Sequence, residues 1–462
     1  MSSYGSALKS LASHSVGSIV YRTAGLALIS IYALQLGPDA LGRLERLLAL
    51  SLLLAPVLSL QIQDAFLPAY KHLPRAAFYA AISIVIAFSA LLLLLGLGLS
   101  STQVVSSDVL AVMAVHASST VMWQLLRNLV RAEGAYSVMV LAELLQAGIM
   151  LAAGVALLWA GVGILGAILA IALSNIAGCV LCWTRAPSMG ARRISKSELV
   201  NTLREIFSVA RRLLPNLVLW WGIELSDRLL LARYAGENEA GDYAAGARIA
   251  GIGMAVCLLI YQSWQVPAIN RLSRTEPQDS FFTTTLSWYV AAVSLSLSLL
   301  ACIIAPLSSF LFGPDFLYAK IYAASLMPSV FLASLCYFFG ITLYAPGNES
   351  SWIASAAGFV VSLGINISLI PAFGAPAAVV ASFLAYAVIL SLRIRAARKV
   401  IDVSLPGKIF FPPLVVLTLQ GICIYQEAQP TFTAIGLATL LILNRPHIMP
   451  IFTLIISKNS KN

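Results

Sequence analysis

Runs of about 20 apolar residues recur along the whole of this chain, and few folds are open to such a sequence. Each run is long enough to cross a bilayer as a helix. Backbone amides find no water in hydrocarbon, so a crossing segment must be a helix or belong to a closed barrel. The runs are too long for barrel strands and do not alternate polar with apolar residues, which excludes the barrel. Composition agrees: of 462 residues, 60% are hydrophobic and 10% charged, against about 25% charged in a soluble domain. The expected fold class is an all-α polytopic membrane protein with about 14 transmembrane helices. The spans are read at 15–36, 47–67, 77–100, 109–130, 137–160, 162–183, 213–234, 243–269, 281–305, 321–344, 352–371, 374–392, 409–426 and 430–444. The first run is not preceded by the charged region of a removed signal, nor followed by a small-residue cleavage site, and is expected to stay in the membrane.

The net charge of +10 would suggest nucleic acid in a soluble protein. Here it sorts by loop instead. With the N-terminus inside, inside segments hold 22 of the 29 Lys and Arg residues and outside segments hold 4. That asymmetry is the positive-inside pattern, so both termini are expected in the cytoplasm and no nucleic-acid partner is expected. All six cysteines fall within apolar spans and read as small buried hydrophobes. Cys179 and Cys182 form a CxxC without acidic or histidine company, so no metal is expected. No GxxxxGK[ST] occurs, and the four histidines are scattered. Neither a nucleotide cofactor nor a catalytic triad is indicated.

Four regions are expected: an N-terminal six-helix bundle (1–183), an amphipathic cytoplasmic linker helix (184–212), a C-terminal six-helix bundle (213–392), and two additional C-terminal helices with a tail (393–462). The linker puts Leu199, Leu203, Ile206, Phe207, Ala210 and Leu214 on one face. Ser195 and Glu198 make a capping-box pattern at its start. Arg204, Arg211 and Arg212 are placed to meet lipid headgroups, as on an interfacial helix. The two bundles echo each other. "LGPDALG" (36–42) and "AGENEAG" (235–241) align at an offset of 199, which pairs Gly37 with Gly236 and Gly42 with Gly241. The same offset pairs Val57 with Val256, Leu60 with Leu259, Gln63 with Gln262, Pro68 with Pro267 and Ala69 with Ala268. Six spans separate the repeats, so they run parallel, an arrangement that suits transporters.

Several stretches resemble one family. "SIVYRTAGLALISIYALQLGPDALGRLERLLAL" is similar to its opening hairpin, and "LPNLVLWWGIELSDRLLLARYAGENEAGDYAAGARIAG" to its seventh and eighth spans. "FLFGPDF" (310–316) and "LIPAFGAPAAVVAS" (369–382) resemble two later motifs. The family is the superfamily of multidrug, oligosaccharidyl-lipid and polysaccharide exporters, and within it the chain most resembles Wzx-type O-antigen flippases. The resemblance implies two six-helix bundles in a V plus two C-terminal helices. It also implies transfer of an undecaprenyl-pyrophosphate-linked glycan across a bacterial inner membrane, beside a polysaccharide polymerase and a chain-length regulator.

An ion at mid-bilayer costs at least about 2.5–3.5 kcal/mol on insertion scales, so charged groups within spans should face a cavity or one another. Arg22, Arg228 and Arg248 are candidate pyrophosphate sites. Asp64, Glu143, Glu224 and Asp227 are candidate cavity acids, with H+ or Na+ as the ions they would couple. Glu224, Asp227 and Arg228 stand at i, i+3 and i+4, on one helix face. A self-neutralising Glu224–Arg228 pair, or an Arg22 bridge to Asp64 or Glu143, is the structural alternative. Gln61, Gln63, Trp123, Gln124, Trp220, Trp221, Gln262, Trp264 and Gln265 offer amides and flat rings suited to a glycan. The same residue types also anchor helices at membrane surfaces.

A lipid II flippase and an ion-coupled drug antiporter of the same superfamily are the rival readings. A polymerase- or ligase-type enzyme is disfavoured, because outside loops of about a dozen residues leave no room for the large loop such enzymes carry. The topology makes a direct prediction: a reporter fused after Lys461 reads as cytoplasmic. A periplasmic signal there would require an odd number of spans and would undo the assignment.

Overall fold

A computed structural model describes residues 2–60, 62, 82–87, 89–91, 94, 107–185, 195–272, 281–344, 351–401, 403 and 406–459. Every regular element among them is helical. Ten of the helices are long and apolar enough to cross a membrane, and the protein is an all-α polytopic membrane protein. The chain divides into two compact units, Met1–Arg228 and Leu229–Asn462.

The first unit opens with α1 (Ser2–Ser59), whose two arms meet at Gly37 (φ 78°, ψ 179°). A positive φ is open to glycine at little cost. Pro38 follows, and a proline at the first helical position gives up an amide that would be unpaired in any case. Residues 38–46, expected as an outer turn, therefore already belong to the second arm. Gly236, the repeat partner of Gly37, has φ 93° and breaks the chain between the seventh and eighth expected spans in the same way. Both glycines of the aligned pair thus take a positive φ.

Next come α2 (Ser107–Ala132), α3 (Tyr136–Trp159) and α4 (Ile164–Arg185), which pack on one another and on α1. Lipid tails are as apolar as leucine, so close packing and hydrogen bonds hold such helices together. Tyr32 of α1 shows both: its hydroxyl donates to the Gly154 carbonyl of α3 at 2.9 Å, and its side chain is 1% exposed. A side chain at Gly154 would meet Leu28.

The unit ends within α5 (Lys196–Tyr234), at Arg228. The expected linker helix and the span at 213–234 form one continuous helix of 39 residues, with Pro215 inside it. It starts directly after Ser195, as the capping pattern requires. Ile206 and Ala210 are fully buried against Ile62, with Leu60 and Ile84 beside them. Part of the amphipathic face expected to lie on lipid therefore covers protein.

The second unit comprises α6 (Glu237–Leu272), α7 (Phe281–Phe312), α8 (Ala319–Gly340), α9 (Ser351–Phe373), α10 (Ala375–Ala397), α11 (Gly407–Tyr425) and α12 (Pro430–Asn459). A short 3-10 turn, Ile341–Tyr344, follows α8. Helix α8 is apolar all round and buried over nearly its full length, as a helix without a polar face should be. Helices α6, α7, α10 and α11 surround it. The expected last span, 430–444, is the first half of α12, which continues to Asn459. Gln420 of α11 donates to Ser298 of α7 and to the Thr433 carbonyl of α12, each at 2.8 Å, and so docks the final pair of helices. Lys320 and Glu427 form an exposed 2.7 Å salt bridge at the α11–α12 turn. The hydrogen bond from Lys320, together with its charge, lowers the Glu427 pKa. The bridge is therefore intact at neutral pH and is lost as the pH falls through that lowered value.

The motif "AGENEAGDY" has a structural role at the start of α6. Glu239 accepts the Ala375 backbone N–H at 2.7 Å, and Asp242 accepts that of Tyr318. Two acids of one helix thus satisfy donors at the N-terminal ends of α10 and α8, where the helix dipole also favours negative charge. Gly374 (φ 61°) leaves no room for a side chain beside Glu239. Glu239→Ala should lower the midpoint of heat-induced unfolding in detergent, by an amount consistent with about 0.5–2 kcal/mol for a lost cap. An unchanged midpoint would show that the cap contributes nothing.

Candidate functional site

The charged face of α5 lies toward the C-terminal end of that helix. Trp220, Glu224, Asp227 and Arg228 follow one another at helical spacing. The Trp220 indole N–H donates to the Glu224 carboxylate, one turn on. Asp227 is 6% exposed, and its Oδ1 accepts the backbone N–H of Arg228 at 2.7 Å. The Arg228 guanidinium reaches across to Glu45 on the second arm of α1, with Nη1 3.8 Å from Oε2. Glu45 is 2% exposed while Arg228 keeps 21% of its side chain accessible. The charge of Arg228 also acts on Glu224. The guanidinium therefore joins two helices, in addition to acting on Glu224 within its own.

Depth explains the pairing. Glu45 is about 12 Å along its arm from Gly37, and Arg228 is about 9 Å from the end of α5, at a rise of roughly 1.5 Å per residue. Glu45 escaped the sequence reading because residues 37–46 were counted as a turn. A signal was present. Leu41, Leu44 and Leu48 recur at helical spacing and are all buried, and Glu45 lies on their face of the helix.

A second polar group sits among α1, α2, α3 and α4. Arg127 of α2 pairs with Glu143 of α3 at 3.2 Å and donates to Ser18 of α1 at 3.4 Å. Gln146, 0% exposed, donates to Asn175 of α4 at 3.2 Å. Asn175 in turn donates to Thr120 of α2 at 3.2 Å and accepts from Tyr21 of α1 at 3.5 Å. Small residues admit the network: a side chain at Gly17 would strike Glu143, and one at Gly178 would strike Gln146. Glu143 is thus a buried acid in a four-helix network. Arg127, near the inner end of the span read at 109–130, is its partner.

The remaining candidates separate. Arg22 is exposed on α1 beside Tyr21, and Arg248 is half-buried on α6 of the other unit. Asp64, Gln61 and Gln63 lie outside the described residues, as does the Gln262 side chain. Gln124, Trp221 and Gln265 are half-buried. Trp123 is 5% exposed in an apolar cluster with Ile82, Leu126 and Met139. Trp264 is 4% exposed, its ring 5.3 Å from Tyr261 and 4.7 Å from Phe338. These two indoles belong to the interior, because each helix turns them toward its neighbours; neither offers a flat face to a glycan. Among the described residues no group of His, Cys, Asp and Glu could hold a metal ion.

Residues 69–279 match a family described as "Polysaccharide biosynthesis protein", a little under half of the chain. A comparison with curated proteins gives no significant match. Among solved structures, the chain is similar to the lipid II flippase MurJ in an inward closed conformation. The TM-score is 0.67 at 12% identity, covering 96% of this chain and 99% of that one. It is also similar to an inward-facing multidrug resistance MATE family transporter of the MOP superfamily (TM-score 0.60, 15% identity, 83% and 96% covered). A MOP superfamily transporter from Pyrococcus furiosus gives a TM-score of 0.54 at 16% identity, with 85% and 96% covered. The chain has the fold of these solved flippase and transporter structures.

The Glu45–Arg228 pair makes a testable statement about stability. Arg228→Gln strands a buried carboxylate, a change that costs about 3–5 kcal/mol for a fully buried pair and less here, because Arg228 is partly accessible. Its melting midpoint should fall. Adding Glu45→Gln to that variant removes the stranded charge and should restore most of the loss. Equal losses in the single and double variants would show that the pair does not hold these helices.

Proposed function

We propose that this protein is a flippase that moves an undecaprenyl-pyrophosphate-linked oligosaccharide, an O-antigen or similar surface-polysaccharide unit. Transfer runs from the cytoplasmic to the periplasmic leaflet of a bacterial inner membrane by alternating access. The observation that carries the reading is the extent of the structural match. The lipid II flippase is covered over 99% of its length and this chain over 96%, whereas the multidrug transporter covers only 83% of this chain. The polysaccharide-biosynthesis match at 69–279 supports a glycan rather than a drug as cargo. The same structural match favours lipid II as the second reading.

The charged side chains of α5, α1 and α6 suit such a cargo. A pyrophosphate needs cations that can be lent to it. Arg228 Nη1 lies 3.8 Å from the Glu45 carboxylate and the side chain remains 21% exposed, so in this proposal the phosphate replaces the carboxylate as its partner. Arg22 and Arg248 serve as further cationic stations. Glu224 and Asp227 on α5 carry H+ or Na+ coupling, with Asp64 and Glu143 as the acids of the first bundle. Both termini lie in the cytoplasm, and the protein works beside a polymerase and a chain-length regulator.

Deletion with complementation tests this. Surface polymer should disappear while single units accumulate on undecaprenyl pyrophosphate facing the cytoplasm. Arg22→Ala should reproduce that phenotype with normal insertion. Glu224→Gln or Asp227→Asn should flatten the dependence of transport on the ion gradient. Intact polymer with loss of viability would move the protein to lipid II, and intact polymer with a changed drug profile would move it to drug export.

A further inference from the structure

The second unit carries a groove of about 460 Å³ that the flippase reading does not use. It is lined by Leu332 of α8, by Phe383, Ala387 and Ile394 of α10, and by Phe410 and Leu414 of α11. The α10 residues repeat at helical spacing along one face. From Phe383 to Ile394 that face runs about 16 Å at roughly 1.5 Å per residue. One leaflet of a hydrocarbon core about 30 Å thick has nearly that depth. Phe411, 59% exposed, forms part of the open side.

The apolar part ends at a cation. Arg398 lines the groove one turn beyond Ile394, where a headgroup would lie. Arg395 and Lys399 are exposed beside it, and Lys408 is exposed next to Gly407, at the same mouth. Among the described residues Arg398 has no ion pair or side-chain hydrogen bond, and the sequence from 393 to 408 holds five cations against the single acid Asp402. The fifth cation, Arg393, is committed elsewhere: it is 6% exposed and donates to the Cys336 carbonyl at 2.7 Å and to Ser355 at 3.3 Å.

We infer that this groove is a binding site for one anionic phospholipid, with an acyl chain lying along α10 and α11 and the phosphate on Arg398 and Lys399. Length and charge carry the assignment together. The groove is as deep as one leaflet, and its cations stand at one end alone, where clustered basic side chains recognise anionic headgroups. A zwitterionic lipid brings the same phosphate together with an ammonium, which leaves the clustered cations without net compensating charge. The inference needs only that the protein spans a membrane and does not depend on which cargo it moves.

Native mass spectrometry of the full-length protein, delipidated and titrated with phosphatidylglycerol or phosphatidylethanolamine, tests it. One phosphatidylglycerol should be retained per chain, and phosphatidylethanolamine should bind at least about tenfold more weakly. Arg398→Glu with Lys399→Glu should remove the preference. Ala387→Trp, which fills the groove and leaves the cations alone, should release the bound lipid. Circular dichroism and gel filtration establish that both variants remain folded. Equal retention of the two lipids, or a preference that survives both variants, would overturn the assignment. Displacement of phosphatidylglycerol by equimolar undecaprenyl phosphate would also overturn it and give the groove to the polyprenyl tail of the cargo.

Discussion

An amide in hydrocarbon can bond only to its own helix or to a neighbouring polar group, and that one restriction shapes almost everything described above. It removes the open loops and sheet edges that a soluble protein uses for its sites. It also explains where irregularity is tolerated. The positive-φ break at Gly37 is followed by a proline that lacks the amide. At the start of α6, two carboxylates accept N–H groups from the first turns of two other helices. Where the ladder must stop, another part of the chain supplies the missing partner.

The same restriction governs charge. An ion within a span must find a partner, a cavity or the membrane surface. Glu45, 2% exposed, accepts Arg228; Glu143, also 2% exposed, accepts Arg127; Arg393 is spent on a carbonyl and a hydroxyl. The pairings differ in tightness. Arg393 is closed on by two donated bonds, one of them 2.7 Å, while the guanidinium of Arg228 lies 3.8 Å from its carboxylate and stays partly accessible. A buried arginine held by short donated bonds acts as a structural clamp, because opening them would strand its charge. A looser pair with one accessible member can change partner at much smaller cost. By that criterion Arg228 is the better candidate for function and Arg393 for structure, although the sequence presents both as arginines at the edge of an apolar run.

The fold was legible to the degree that it rests on apolar run length. Helical class and most span positions follow from that quantity alone, and the duplicated turn at Gly37 and Gly236 is visible as identical residues at one offset. Boundaries were less legible. The run of 37–46 carries charges that read as a loop, yet its Leu41 and Leu44 face inward and continue the helix. The linker and the following span read as two helices because polarity changes at about residue 213, whereas helix continuation depends on backbone propensity, and Pro215 did not end it. The site was legible by composition and opaque in its pairings. Glu224, Asp227 and Arg228 stand out in any hydropathy reading, but the Glu45 that Arg228 meets comes from another helix. Sequence spacing orders residues along one helix and says little about which residue faces them.

Tryptophan shows the same limit from the opposite side. Trp123, Trp220 and Trp264 were equivalent as flat amphipathic rings in polar stretches of spans. Their helices separate them. The faces of α2 and α6 that carry Trp123 and Trp264 are covered by neighbouring helices, so those rings pack apolar and aromatic side chains. Trp220 shares a face with Glu224 and Arg228 and uses its N–H to hold the acid. An indole that packs on carbon contributes area, whereas one that donates to a carboxylate fixes where a charge sits. Only the second kind can influence how readily that charge is lent to a ligand, which places Trp220 with the acids and arginines of α5 as part of one electrostatic unit.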